Sequence, residues 1–567
     1  MKYQDVCLCL HCSVEVRIAR SLHTKEEEFV FERRKKVFQS LQKLKIHCSK
    51  DAVPNIALLG SGGGQRAMVG LLGSLDQLDK AGLLDCILYL SGVSGSTWCM
   101  ASLYREPDWS TKLETVKDKI IRRLSGSGVS FKDKLAKLKK YYYEKDHFSL
   151  TDVWAVMVVT EYVKEIDKCK LSDQWDQHKE DPFPIYTVID KQSKQCKDEE
   201  DKDDPWFEIS PLEAGYSLTG AFVKTCSFGS QFDRGSKTKP QDEMDMLYLQ
   251  ALCGSALADE DEIKKFLWQK INDFFKKLSP KWPSNKETGK DPKAPSAEKG
   301  YRVLMDLANM NLDVLNGKDP SDLDQSIRNT LNELSGGKRQ LIFPIEKLNL
   351  KDKEAAECYM KEHTEDVCKN LNNWFSLWPF DVLTSIQKCM AQWIWGRKYG
   401  FLQNINDETL PSTLLESDIR DYEDTGLLLN SPYFSVLRKE RNIDLIISLD
   451  FSEGDPFMTV REAAKMCKKR NIPFPEVNIP SEDLKNPEDF YVFKGTNTPT
   501  VIHIPLFNVV NCGDDIDMWR KKYTTFQDSY RDEMISDLME VAGKNISNNR
   551  EKLLEQIGAA VGQKGHN

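Results

Sequence analysis

Residues 56–68 read Ile-Ala-Leu-Leu-Gly-Ser-Gly-Gly-Gly-Gln-Arg-Ala-Met, and residues 86–97 read Cys-Ile-Leu-Tyr-Leu-Ser-Gly-Val-Ser-Gly-Ser-Thr. Each opens on a short apolar run, Ile56–Leu59 and Cys86–Leu90, which predicts a buried strand. The first runs into a glycine loop, Gly60 to Gly64. After it Met68, Leu71, Leu72, Leu75 and Leu78 recur at helical spacing, and Gly82 supplies a stop. The second turns sharply at Ser91–Ser96 and predicts a helix from about Thr97. Strand, glycine loop, helix, strand, turn, helix is a parallel α/β unit.

In such a unit both strands end on one edge of the sheet, so the glycine loop and Ser94 become neighbours. A serine on a tight strand-to-helix turn projects its hydroxyl above that edge, and small residues must flank it because the backbone is strained and closely packed. The stretch Gly92-Val93-Ser94-Gly95-Ser96 departs from a strict G-x-S-x-G at its last place. Adjacent glycines can aim bare N–H groups at a developing oxyanion. A phosphate loop is the rival reading. It requires G-x-x-x-x-G-K-[ST], yet Gly64 is followed by Gln65-Arg66-Ala67, and the dinucleotide fingerprint fails at Gln65. Nucleotide binding is therefore the weaker reading. Arg66 reads either as a surface residue at a helix start or as a cation suited to a substrate phosphate.

Further along, Ile443–Leu449 and Thr500–Ile504 read as strands and Val460–Lys469 as a helix. The sheet thus draws on both ends of the chain, with residues 110–410 partly inserted between them. A serine nucleophile needs a base. None of the eight histidines stands in a motif, and His503, in a strand-like run, reads as packed. Two carboxylates remain: Asp450 at the end of the Leu445–Leu449 strand, and Asp424 in the turn Asp424-Thr425-Gly426. Spacing leaves both open, and position at a strand end favours Asp450.

Composition narrows the class. The chain has 567 residues, 40% hydrophobic and 29% charged, which excludes disordered and collagenous proteins. A net charge of −9 offers no basic field for nucleic acid. No apolar window reaches the ~20 residues of a membrane span, so membrane contact is expected to be peripheral. The N-terminus carries no export signal, which predicts free thiols in a reducing compartment. Zinc ligation by Cys7, Cys9, His11 and Cys12 is conceivable, but the tight spacing suits a tetrahedral site poorly and reversible acylation fits better. The acidic run at 197–204 reads as a solvated loop, and residues 279–299 as a mobile insertion. The tryptophans between Trp374 and Trp395 read as packing, with an interfacial patch as the alternative. The basic stretch Phe131–Lys140 reads as a solvated helix face, with an anionic-lipid contact as the alternative.

These residues together resemble the group IV cytosolic phospholipase A2 family, patatin-like lipid acyl hydrolases. The resemblance rests on Gly60–Met68, Gly92–Trp98, Trp206–Pro211, Phe228–Ser230, Gly254–Ala256, Trp395-Gly396, Asp424–Leu427, Asp450–Phe457 and Ile472–Pro475. It spans roughly residues 25–545, and the type most similar is the gamma type, which lacks a C2 domain. The resemblance implies an α/β, three-layer patatin-like fold with a central mixed sheet, a nucleophile elbow and a helical cap or lid insertion at about 260–395. Residues 1–24 would be an N-terminal extension and 546–567 a C-terminal tail. It implies a Ser–Asp dyad without histidine, Ser94 and Asp424, so that the aspartate of the D-[SAT]-G motif displaces Asp450. It places the oxyanion donors on Gly63 and Gly64 and the substrate-binding arginine on Arg66.

The implied reaction is hydrolysis of glycerophospholipid acyl esters through an acyl-enzyme, with lysophospholipase and transacylase capacity. No metal or cofactor is implied, and with neither a C2 domain nor a prenylation box the activity is expected to be calcium-independent. The expected partner is a phospholipid membrane surface bound peripherally, not nucleic acid, and the expected location is cytoplasmic, in peripheral association with intracellular membranes. A non-catalytic lipid-binding or scaffold protein on the same fold is the alternative. The joint presence of Ser94, Asp424, Arg66 and the glycine loop speaks against it.

Overall fold

The computed structural model describes residues 15–173, 175–195, 204–255, 260–278, 297–337, 348–415, 417–525 and 527–564. The Cys7–Cys12 cluster, most of the acidic run and residues 279–296 of the expected insertion lie outside the described residues. The chain divides into a larger unit, Met1–Ser130, Val158–Ala256 and Arg397–Asn567, and a smaller one, Phe131–Met157 and Leu257–Gly396.

The larger unit is built on a mixed sheet of twelve strands. The first apolar run forms β2 (Ile56–Gly60); the second strand, β3 (Tyr89–Gly92), begins three residues later than the Cys86–Leu90 run, after a 3-10 turn at Leu84–Cys86, and β1 (Val16–Ile18) precedes both. Then come β4 (Phe183–Asp190), β5 (Trp206–Ile209), β6 (Glu213–Tyr216) and β7 (Ala221–Lys224). A separate hairpin, β8 (Gln231–Asp233) and β9 (Ser236–Lys239), follows. The chain returns with β10 (Arg397–Tyr399), β11 (Ile419–Asp424), β12 (Leu445–Asp450), β13 (Tyr491–Phe493) and β14 (Thr500–Pro505). The order across the sheet is β1-β7-β6-β5-β4-β3-β2-β12-β14-β13, with β11 joined to β4 and β10 to β11.

The centre, β4-β3-β2-β12-β14, is parallel. Every residue of β2, β3, β4, β12 and β14 is buried, which is why the longer ones among them, β2, β4, β12 and β14, are largely apolar rather than alternating. The flanks, β5 to β7 with β1, and β13, are antiparallel. The predicted strand–loop–helix unit is realised as β2, α2 (Gly64–Lys80), β3 and α3 (Gly95–Tyr104), with α1 (Thr24–Lys43) preceding it. The α/β class and the central mixed sheet are those expected from the sequence.

A buried ionic network ties α1 and β5 to the turn before β12. Arg441 pairs Glu26 at 2.9 Å and Glu208 at 2.7 Å, Arg438 pairs Glu208 at 2.9 Å, and the Tyr89 hydroxyl donates to Glu26 at 3.0 Å. Two segments assigned to the termini join the body. Val16–Ile18 pairs with Val223–Ala221 on β7, and residues Arg550–Lys564 form a helix that buries Leu553, Ile557 and Ala560.

The smaller unit is helical: Phe131–Glu144, Leu150–Trp154, Glu260–Leu278, Ala297–Leu315, Ser321–Ser335, Lys353–Asn372 and Phe380–Gln392. Residues 131–157, distant in sequence from the rest of this unit, belong to it as well. Trp395 is buried, its ring 5.9 Å from Trp154 and 5.3 Å from Trp393, so packing describes this member of the tryptophan cluster.

Candidate active site

Ser94 sits between β3 and α3 with φ 51° and ψ −123°, a conformation that L side chains rarely adopt, and it is only 5% exposed. Glycines make the turn possible. A Cβ on Gly95 would lie 1.8 Å from the Gly64 carbonyl oxygen. The neighbouring loop is held in left-handed backbone at Gly63, φ 155°, and Gly64, φ 55°. The two loops meet as expected: the Val93 N–H donates to the Gly60 carbonyl at 3.0 Å, and the Ser96 hydroxyl to the Ser61 carbonyl at 2.7 Å. Among the described residues neither the Gly63 nor the Gly64 N–H donates a hydrogen bond.

The register of β4 positions Asp424. Its first half pairs with β3, Gly92 opposite Tyr186. On the other edge, residues Tyr186–Ile189 pair with β5. The strand β11 pairs with Val188–Asp190, so it takes the edge that β3 vacates beyond Gly92, running antiparallel with Asp424 opposite Val188. The ends of β3 and β11 therefore meet head-on, two β4 positions apart, roughly 6.6 Å along the strand. Asp424 is fully buried, and its Oδ1 accepts the Gly426 N–H at 2.8 Å. A buried ion pair fixes this register: Arg420 on β11 holds Asp190 on β4 at 2.6 Å, and the Tyr216 hydroxyl also donates to Asp190 at 2.6 Å. The Thr187 hydroxyl donates to the Gly92 carbonyl at 2.8 Å and joins β4 to β3 at the elbow.

Asp450 ends β12, opposite Pro505 of β14, and β2 lies between its strand and that of Ser94. Its Oδ1 accepts the Ser452 N–H at 2.8 Å, and burial pushes its pKa up, with His503 pulling the other way. His503 is buried on β14 with Nε2 2.6 Å from the Pro456 carbonyl, packed as its strand-like run predicts.

Arg66 is not a surface residue: it is 1% exposed. Nε donates to the Phe451 carbonyl at 2.7 Å, Nη1 to the Tyr523 carbonyl at 2.5 Å, and Nη2 to Thr525 Oγ1 at 3.4 Å, while Glu453 stands 3.5 Å from Nη1. The sequence reading missed Asn430. Its carbonyl accepts the Gly62 N–H at 3.0 Å, and its Nδ2 donates to the Gly62 carbonyl at 3.2 Å and to Ser452 Oγ at 2.7 Å. It thus clamps the glycine loop to the loop after β12. It belongs to no motif, and only its place six residues after Asp424 could have drawn attention to it. Among the described residues, no group of three or more His, Cys, Asp or Glu side chains could hold a metal ion, and no helix is long and apolar enough to cross a membrane.

A serine elbow beside a glycine loop at the edge of a mixed α/β sheet defines an acyl hydrolase class. Residues 56–259 match the lysophospholipase catalytic domain family. The chain is 34% identical over 572 residues to cytosolic phospholipase A2 gamma of Mus musculus, covering 97% of this chain and 93% of that one. It is 32% identical over 561 residues to the Homo sapiens protein of that name, covering 97% of each. The solved structure of human GIVD cytosolic phospholipase A2 with methyl gamma-linolenyl fluorophosphonate superposes with a TM-score of 0.64 at 21% identity, covering 98% of this chain and 66% of that one. That likeness is one of fold, the patatin-like one. The chain belongs to the cytosolic phospholipase A2 family and is a phospholipase, an enzyme of lipid ester hydrolysis.

Proposed function

We propose that the protein is a calcium-independent phospholipase A2 with lysophospholipase and transacylase capacity, working through a Ser94–Asp424 dyad. The observation that carries this reading is the head-on meeting of β3 and β11 along β4, with Ser94 two residues past Gly92 and Asp424 closing β11. Asp424 takes the proton from Ser94 Oγ as that oxygen attacks the ester carbonyl of a glycerophospholipid. The Gly63 and Gly64 N–H groups hold the oxyanion, and losing one such donor typically costs about 3 kcal/mol of transition-state stabilisation. The lysophospholipid leaves with the proton, and water or an acceptor lysolipid then resolves the acyl-enzyme. Arg66 serves as the anchor for the substrate phosphate, in exchange for its long contact with Glu453. The membrane surface that supplies the substrate is bound peripherally, on intracellular membranes facing the cytoplasm.

The test is fatty-acid release from phosphatidylcholine vesicles in EGTA, wild type beside Ser94→Ala. Release confined to the wild type is the expected outcome. Equal release from both removes Ser94 as nucleophile, and release that requires added calcium removes calcium independence. Vesicle binding without release from either supports the scaffold reading instead.

A further inference from the structure

Two stretches far apart in the chain meet on one face of the helical unit. One is the helix Phe131–Glu144; the other is the segment Trp374–Pro379, which joins the helices Lys353–Asn372 and Phe380–Gln392. Lys139 Nζ lies 5.3 Å from the centre of the Trp378 ring, the Tyr142 hydroxyl stands 3.2 Å from Ser385 Oγ, and the Tyr143 hydroxyl donates to Asp381. Leu377 is 77% exposed, the most exposed large apolar side chain among the described residues, and Tyr143 beside this segment is 52% exposed. The segment displaying Leu377 is itself packed: Phe375 stacks on Phe380 at 4.4 Å, and the Leu377 carbonyl accepts the Phe380 N–H at 3.0 Å.

Lys132, Lys139 and Lys140 are exposed on the helix. Its five lysines outnumber Asp133 and Glu144, so it carries +3 in a chain of −9. Two acids near this face have partners, Glu144 3.5 Å from Lys140 and Asp381 accepting from Tyr143, and Asp133 is exposed beside Lys132.

We propose that this face docks on an anionic phospholipid surface, with Leu377 and Trp378 entering the headgroup–acyl boundary and Lys132, Lys139 and Lys140 facing lipid phosphates. A singly exposed leucine is ordinary. One flanked by an indole, a phenol and lysines is not, because indole and phenol rings favour the membrane interface and lysines favour an anionic leaflet. A protein partner fits less well, since lysine is depleted from protein–protein interfaces. The proposal rests on the reading that the substrate is membrane phospholipid.

The test is sedimentation of the full chain with phosphatidylcholine vesicles and with vesicles containing phosphatidylserine. Hydrolysis of a monomeric short-chain ester serves as the check on folding and chemistry. Leu377→Asp is expected to weaken binding to both vesicle types at least fivefold. The double variant Lys139→Glu, Lys140→Glu is expected to lose at least tenfold on the anionic vesicles alone, as raised salt does for the wild type. Ester turnover is expected to stay within about twofold of wild type throughout. Ester-active variants that bind both vesicle types as the wild type does overturn the proposal, as does a wild type that binds neither. Binding that depends on Leu377 and the lysines in a protein that releases no fatty acid keeps the docking face and discards the catalytic reading.

Discussion

Gly92 and Asp424 lie on the same edge of β4, opposite Tyr186 and Val188, so that the strand leading to Ser94 and the strand carrying Asp424 end against each other. Asp450 ends a strand too, but with β2 between β12 and β3. Asp424→Asn is therefore expected to lower fatty-acid release by about 10²–10⁴-fold, the usual worth of a general base. Asp450→Asn should keep release within about threefold of wild type. Steady-state rates on one phospholipid substrate decide it, and a reversal of the two outcomes would move the base to Asp450.

The pH dependence of Asp450 runs in a definite direction. Burial holds its carboxyl above the usual carboxylate range, with His503 pulling it part of the way back. A raised folded pKa means that the folded state loses stability as pH rises through that range. Asparagine does not ionise, so Asp450→Asn should gain stability relative to wild type on going from pH 4 to pH 7 in urea titrations. An unchanged difference across that interval contradicts the argument.

Arg66 holds the Phe451 and Tyr523 carbonyls with a planar fork that lysine cannot reproduce. If it also anchors the substrate phosphate, Arg66→Lys should cost at least about tenfold in kcat/KM on a phospholipid, and clearly less on an uncharged ester. Equal losses on both substrates would mark the residue as a brace for the two carbonyls and nothing more.

Gly95→Ala tests the meeting of the two loops. The added methyl would lie 1.8 Å from the Gly64 oxygen, and that neighbour is backbone, which cannot swing aside. The variant should lose about 1–3 kcal/mol of stability and nearly all esterase activity. Differential scanning calorimetry with an ester assay reads both, and full activity would show that the glycine loop can retreat.

Glu208 supplies an acid-side test. Burial pushes its pKa up, but the guanidiniums of Arg441 and Arg438 outweigh this and hold it at about 2, below the ordinary 4.5. Its depressed pKa contributes stability that is complete above the unfolded value and is lost as pH falls toward 2. Glu208→Gln should flatten the stability–pH curve below pH 5. Arg441→Met leaves Glu26 and Glu208 buried against fewer cations and should cost about 3–5 kcal/mol at pH 7. Urea midpoints of the two variants check both.

The parallel centre is legible in sequence because strands buried on both faces are largely apolar, as Ile56–Leu59 is throughout and Leu445–Leu449 is but for Ser448. The strand β11 is not legible, because Ile-Arg-Asp-Tyr-Glu-Asp reads as a charged segment. Its charges are tolerated in the sheet because partners distant in sequence neutralise them: Asp190 for Arg420, Arg397 for Asp421, and Lys191 with Lys194 for Glu423. The share of residues 131–157 in the helical unit, and the clamp at Asn430, are hidden for the same reason, since each is defined by what it touches.

What the sequence determined by itself is local chemistry: an apolar run, a strained serine turn and glycines that no side chain could replace, all set by backbone sterics within a dozen residues. Spacing along the chain left Asp424 and Asp450 both open; the strand ends they occupy in the sheet are set by tertiary pairing. In the linear chain Asp450 reads as a strand end and Asp424 as part of a turn; that Asp424 also ends a strand, on the β4 edge that β3 leaves, follows from the hydrogen-bond register of β11 on β4, a pairing through space held by the buried Arg420–Asp190 ion pair.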